Sequence, residues 1–459
     1  MLERFFKLSE NKTTVKTEII AGLTTFMTMA YIIFVNPAIL NFTGIPDLKD
    51  LGPGFAPTLA ATCLAAGLLS IAMGLLTNYP FALASGMGLN AVVAFQFIVG
   101  MKLPWQAAMG VIFIQGLIIT LLVITGLRES VMNAIPLSLK RAIGVGIGLF
   151  ILFIGLFNGG IVKSGTGIPG TMGNLDNLAV FVTILGLLIT SYLMARKVKG
   201  GLLLGILVTT IIAIVINHAS GLTVFTTPGV AVIPTDIFAW PDFSTFGAGL
   251  NFDIFFKVGF ITAVITIFTI MMADFFDTMG TVIGVGGEGG FLDKQGRLPR
   301  LKKVLLVDSL GAVFGGLSSA SSVTTYIESA SGVAEGGRTG LTAVVVGVLF
   351  LLCLFISPLA GTIPAQATAP ALILVGFYMC SIIKDIPFGD FEEGFPALLA
   401  ITIMPFTYSI TNGIGAGFII YTFIKLVRGK GTDVHPMMYG ATIAFIVYFI
   451  SPLITRLLA

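Results

Sequence analysis

The chain has 459 residues, of which 56% are hydrophobic and 10% charged, and its mean hydropathy is +1.01. Soluble domains carry about 25% charged residues, and apolar runs near membrane length recur here from end to end, so composition excludes a soluble globular chain and predicts an integral membrane protein. The formal charge of +3 does not point to nucleic acid, because Lys and Arg are scattered over loops rather than gathered on one face.

The opening MLERFFKLSENKTTVKTEII is charged and polar, without the apolar core and small-residue cleavage site of a secretory signal, so it is expected to be retained. A crossing helix needs roughly 20 apolar residues. Candidates follow near 18–40, 55–77, 104–126, 141–158, 176–194 and 200–217, and again near 254–286, 303–317, 339–360, 367–384, 394–410 and 411–428. Between them lie two stretches too short or too glycine-rich for ordinary spans, FALASGMGLNAVVAFQF at 81–97 and VTTYIESASGVAEGGRTG at 323–340. Counting both gives fourteen transmembrane segments, seven in each half, for an all-α polytopic protein. The apolar segment 434–456 is left over, either a further span or an interfacial helix. Cys63, Cys353 and Cys380 lie in apolar segments without paired spacing, which predicts packing roles and neither disulfide nor zinc site.

Basic residues cluster in the N-terminus (Arg4, Lys7, Lys12, Lys16), at Arg128, Lys140 and Arg141, at Arg196, Lys197 and Lys199, at Lys294, Arg297, Arg300, Lys302 and Lys303, and at Lys425, Arg428 and Lys430. The connection 218–253 has no Lys or Arg. With fourteen crossings every basic loop falls on the cytoplasmic side, as the charge bias of membrane proteins requires, and the N-terminus is cytoplasmic. An odd number of spans per half makes the second half an inverted repeat of the first. Internal echoes agree: FMTMA at 26–30 resembles FDTMG at 276–280, and LASG at 83–86 resembles SASG at 329–332. The interrupted segments are then third and tenth, matching positions of the two halves, and such a pair points to a transporter's substrate site.

Non-helical backbone inside a bilayer is tolerated only where protein or a water-filled cavity satisfies it. Ionisable side chains at that depth cost at least ~2.5 kcal/mol and are functional candidates by default. Asp274 and Asp277, three apart in TIMMADFFDTMGTVIGV, share one helical face, and Glu328 lies in the second broken segment. The bland alternative for Asp277 and Glu328 is a structural carboxylate that caps a broken helix or pairs with Arg338; for Asp274 it is a group that only positions the neighbouring helix. Asp308 closes LKKVLLVD, soon after its basic residues, and is assigned to the interfacial turn, while Glu335 and Arg338 are assigned to local charge pairing. Asn90 in SGMGLNA can read a ligand edge or satisfy its own segment's backbone. No G-x-S-x-G, H-E-x-x-H or Walker sequence is present, and His218 and His435 lie outside the broken segments, which excludes the common hydrolase and nucleotidase signatures. No cofactor or metal is expected.

AGLTTFMTMAYIIFVNP, SGMGLNA, MADFFDTMGT and TTYIESASGVAEGGRTGLTAV together resemble the AzgA-like guanine/hypoxanthine and adenine permeases of the nucleobase–cation symporter-2 family, over nearly the whole chain. That resemblance implies a uracil-permease-type fold, a 7+7 inverted repeat with short strands in broken segments 3 and 10. It implies a cytoplasmic N-terminus (1–17), a core domain from spans 1–4 (18–126) and 8–11 (254–360), and a gate domain from spans 5–7 (127–217) and 12–14 (361–428). An extracytoplasmic connection (218–253) and a C-terminal apolar segment (429–459) complete the chain. It places substrate binding at Asn90, Asp277 and Glu328; Met87, Gly88, Tyr326 and Ser331 are expected beside them, and proton coupling is expected at Glu328, Asp277 and Asp274. The activity implied is import of a purine base by proton rather than sodium symport across the cell membrane, in contact with lipid, with a homodimer left open and no nucleic-acid partner. A uracil, xanthine or small-anion carrier and a base-binding channel are the alternatives. One departure stands out: the family reads Gly-Thr-Ser-Thr ahead of the TTYIES-like segment, whereas this chain has Ser319, Ala320, Ser321 and Ser322, which removes a glycine's freedom at positive φ.

Overall fold

The computed structural model describes every residue except Met1, Lys49, 127–133, 166–169, Pro228, 294–296 and Ala459, and describes no side chain for Pro46 or 451–458. Of the basic residues used for orientation, Arg128 and Lys294 lie outside the described residues. Nine helices among the described residues are long and apolar enough to cross a membrane. They fall on the first, second, fourth to eighth, twelfth and fourteenth expected spans. The ninth, Leu301–Ser318, holds Lys302, Lys303 and Asp308, and the thirteenth, Phe391–Thr407, is 17 residues long and opens with Glu392 and Glu393.

Two expected spans start or run differently. The first is two helices, α1 (Val15–Met29) and α2 (Ile32–Leu40), with Ala30 and Tyr31 in a turn between them. The eighth begins only at Phe260, because Gly259 takes a left-handed φ of 80° after the short helix Ile254–Lys257. Segment 81–97 holds strand β1 (Leu83–Ser85), helix α3 (Met87–Ala91) and a π-helical run Val92–Gly100. Outside the spans, a minor hairpin pairs β2 (Val162–Lys163) with β3 (Thr171–Met172). After α4 (Phe260–Glu288) and α5 (Leu301–Ser318) come strand β4 (Val323–Thr325) and helix α6 (Ser329–Ala334).

The leftover segment 434–456 is helical, Pro436–Leu458, and packs on α7 (Ile410–Val427) with Thr422 and Thr442 hydroxyls 2.8 Å apart. Gln96 ties the π-helical run to α7. Its Nε2 donates to Thr411 Oγ1 (2.6 Å) and its Oε1 accepts from Ile410 N (3.0 Å), so it satisfies a helix-start N–H that has no partner in its own helix. The large apolar cluster runs through α1, α2, α3, α4 and Leu137–Asn158, and a second cluster holds Phe81, Leu83, Val323 and Val333 of the two broken segments.

Candidate functional site

β1 and β4 pair antiparallel, Leu83 with Thr325, Ala84 with Thr324 and Ser85 with Val323. Tyr326 N donates to Ala82 O and Gly86 N to Ser322 O, extending the ladder at both ends (2.9 and 2.8 Å). A two-stranded ribbon leaves two outer edges, and buried backbone groups there need partners. Ser70 covers one edge, its Oγ donating to Leu83 O (3.1 Å) and accepting from Leu83 N (2.9 Å). Asp308 covers the other, accepting from Thr325 N and Thr325 Oγ1 (both 2.9 Å) and Thr324 Oγ1 (3.3 Å) through Oδ1, and from Thr278 Oγ1 (2.6 Å) through Oδ2. Asp308 is therefore buried and holds β4 in place. The assignment to an interfacial turn is corrected: about one and a half turns of α5 carry it past Lys302 and Lys303 to the strand. Close approach of α5 to the ribbon requires glycine, since a Cβ at Gly311 would lie 2.5 Å from Val323 O.

The turn ahead of β4 is left-handed at Ser319 (φ 68°) and at Ser321 (φ 67°). The chain thus keeps, with serine, a geometry that glycine adopts without steric cost. Ser319 Oγ donates to Thr245 O (3.0 Å), whereas Ser321 Oγ is buried with no protein partner. Ser322 Oγ donates to Asp274 Oδ2 (2.9 Å), which also accepts from Gln115 Nε2 (2.9 Å).

Each strand leads into a short helix, and α3 and the residues just ahead of α6 share one cavity. Its lining includes Tyr31, Met87, Gly88, Asp277, Thr281, Thr325, Tyr326 and Glu328, closed by Ile147, Val375 and Met379 from Leu137–Asn158 and Ala365–Cys380. Five of the residues expected at a binding site therefore share it: Met87, Gly88, Asp277, Tyr326 and Glu328. Three lie outside its lining. Asn90 is fully buried in α3, with neither amide atom finding a protein partner. Ser331 is bonded to Thr28 Oγ1 (2.8 Å) and donates to Glu328 O (2.7 Å). Asp274 lies behind the cavity on Gln115 and Ser322.

Glu328 is not paired with Arg338, whose guanidinium donates to Val333 O and Gly337 O (2.6 and 2.8 Å). Glu335 pairs with Lys199 rather than with Arg338. The side-chain donor to Glu328 is Tyr31, Oη to Oε1 at 2.6 Å. Tyr326 Oη donates to Ser85 O (2.5 Å), tying the start of one helix to the other strand. Tyr31 and Thr281 were not singled out because both are uncharged at neutral pH and so carry no membrane-depth charge cost, yet a signal was available: extending the FMTMA and FDTMG echo by one residue aligns them, and both line the cavity. Chemically, the cavity offers two carboxylates, two phenols and peptide edges within an apolar wall, a set suited to a small flat ligand with N–H donors.

Comparison with known proteins follows the same line. The profile of a family described as "Permease family" matches residues 16–416. The guanine/hypoxanthine permease PbuG of Bacillus subtilis is 42% identical over 453 residues, covering 98% of this chain and 99% of that one. The adenine permease AdeP of Escherichia coli is 42% identical over 448 residues, 97% of this chain and 95% of that one. Among solved structures, the transmembrane domain of the cyanobacterial bicarbonate transporter BicA superposes with a TM-score of 0.62 at 15% identity, over 88% of this chain and 97% of that chain, which is a likeness of fold.

Proposed function

The chain belongs to the permease family, and from that membership we propose that it imports a purine base, guanine, hypoxanthine or adenine, by proton symport. The observation that carries this reading is the meeting of Asp277 and Glu328 in one cavity that Met87 and Gly88 also line. Purine ring N–H groups are donors, and a carboxylate in an apolar site binds them through charge-assisted hydrogen bonds. Two acids and no cation in the lining disfavour a small-anion carrier.

Glu328 and Asp277 accept from the base, and one of them gains and loses a proton as the cavity faces opposite sides of the membrane. Asp274, behind Asp277, assists that exchange. Asn90 supplies a further hydrogen bond, through a water or a ligand edge: a buried amide left unpaired costs about 1–3 kcal/mol, and binding relieves it. Ser331 and Tyr326 frame the same end of the site.

The architecture we assign is fourteen spans in a 7+7 inverted repeat, with the core and gate domains bounded as the sequence suggests and the N-terminus in the cytoplasm. The 250-residue offset that brings Tyr31 and Thr281 to one cavity supports the repeat. Ile147, Val375 and Met379 reach the cavity from gate segments, so movement of core against gate would expose it alternately. Uptake of labelled bases by cells lacking their own carriers tests the reading. Glu328→Gln and Asp277→Asn should each weaken uptake roughly 10–150-fold, the loss of one hydrogen bond to a charged group at about 1.5–3 kcal/mol. Normal accumulation by both variants at wild-type membrane levels would falsify the assigned roles, and accumulation that survives a protonophore would remove proton coupling.

A further inference from the structure

Tyr31 is 1% exposed, sits in the turn between α1 and α2, and touches both the cavity and Glu328. It belongs to a longer contact. One turn earlier the Thr28 and Ser331 hydroxyls lie 2.8 Å apart, and a turn earlier again a Cβ on Gly332 would lie 2.1 Å from Thr25 Oγ1. Residues three apart share a helix face. Thr25, Thr28 and Tyr31 therefore meet Gly332, Ser331 and Glu328 in reverse order, and the first span acts as a template along which α6 is registered. Glycine lets the two backbones close, and the Thr28–Ser331 hydroxyl pair and the Tyr31–Glu328 bond fix the register.

We propose that Tyr31 is a positioning residue for Glu328: its phenol holds Oε1 so that the other carboxylate oxygen faces the incoming base. This rests on the purine-carrier reading. A phenol suits the task because it orients the carboxylate without cancelling its charge, which a guanidinium would do, and Arg338 is tied to backbone carbonyls elsewhere. The charge stays available to a ligand N–H or to a proton. Nothing ionic has to be broken when the base arrives.

Tyr31→Phe removes a single oxygen and keeps the ring. In uptake and equilibrium-binding assays with labelled guanine, hypoxanthine and adenine, it should raise KM and Kd roughly 10–150-fold, the loss of one hydrogen bond to a charged group, with kcat little changed. Introduced into Glu328→Gln, it should add almost nothing, because the group it orients no longer carries charge. Thr28→Val, which breaks the neighbouring rung but not the carboxylate bond, should leave base selectivity untouched. The proposal is overturned if Tyr31→Phe binds bases as wild type does, or if its effect is the same with and without Glu328. A Tyr31→Phe protein that fails to fold would also overturn it, since the phenol would then be a prop of the first span. Should the wild-type protein take up no purine, the carrier reading fails on its own. The Tyr31–Glu328 coupling would still be read from a double-mutant cycle on thermal unfolding, where additivity would refute it.

Discussion

Ser319 and Ser321 adopt nearly the same left-handed backbone two residues apart, yet replacing each with glycine should have different consequences. A non-glycine residue in this region costs roughly 1–2 kcal/mol, so both substitutions gain that relief and both lose roughly 0.5–1 kcal/mol to glycine's extra freedom in the unfolded chain. Their hydroxyls decide the sign. Ser319 Oγ donates to Thr245 O, and losing that bond removes about 0.5–1.5 kcal/mol, which leaves Ser319→Gly near zero. Ser321 Oγ is buried and unpartnered, a penalty of about 1–3 kcal/mol that glycine abolishes. Ser321→Gly should therefore stabilise by roughly 1–4 kcal/mol. Cys63 is fully buried and free, so thermal unfolding of detergent-solubilised protein can be followed by the reaction of its thiol with a fluorogenic maleimide. A clear rise in midpoint for Ser321→Gly with little change for Ser319→Gly is expected. Equal shifts, or destabilisation by Ser321→Gly, would refute the reasoning.

Asp308→Asn should both destabilise the protein and weaken base binding, since the amide must point a donor at groups that already donate; each lost charge-assisted bond is worth about 1.5–3 kcal/mol. Calorimetry alongside equilibrium binding checks this, and unchanged binding would mean that β4 does not depend on Asp308. Gln96→Leu leaves Ile410 N without its acceptor, so the unfolding midpoint should fall by the equivalent of about 1–3 kcal/mol; an unaltered midpoint would show that the tie is dispensable. At the basic rim, ahead of the apolar stretch 394–410, hydrogen bonds from Lys425 and Lys430 hold Glu392 down from an ordinary value of 4.5 to about 2. A lowered carboxylate contributes stability above its unfolded value and loses it as pH falls through its folded one. The stability gap between wild type and Glu392→Gln should thus be full above pH 4.5 and close as pH falls toward about 2; a gap independent of pH would remove the ion cluster from the account.

The membrane class, the two interrupted segments and the carboxylates Asp277 and Glu328 were legible in the sequence, because each is a local cost. Long apolar runs have no other solvent, and a charge at membrane depth must be retained for a reason. Asp274 and Asp277 could be told apart only in space: they share a helix, but Asp277 reaches the cavity and Asp274 reaches Ser322 and Gln115. Asp308 was misplaced because proximity to Lys302 and Lys303 along the chain says nothing of what lies beside it. The strand it serves comes from residues 15 to 17 positions later, folded back against the helix. Tyr31 was passed over because a phenol carries no charge to betray it. Composition and spacing determine where a chain enters lipid and where helix must fail, since those depend on each segment alone. Which donor meets which acceptor is decided by the packing of distant segments, and only the folded chain brings Tyr31 to Glu328.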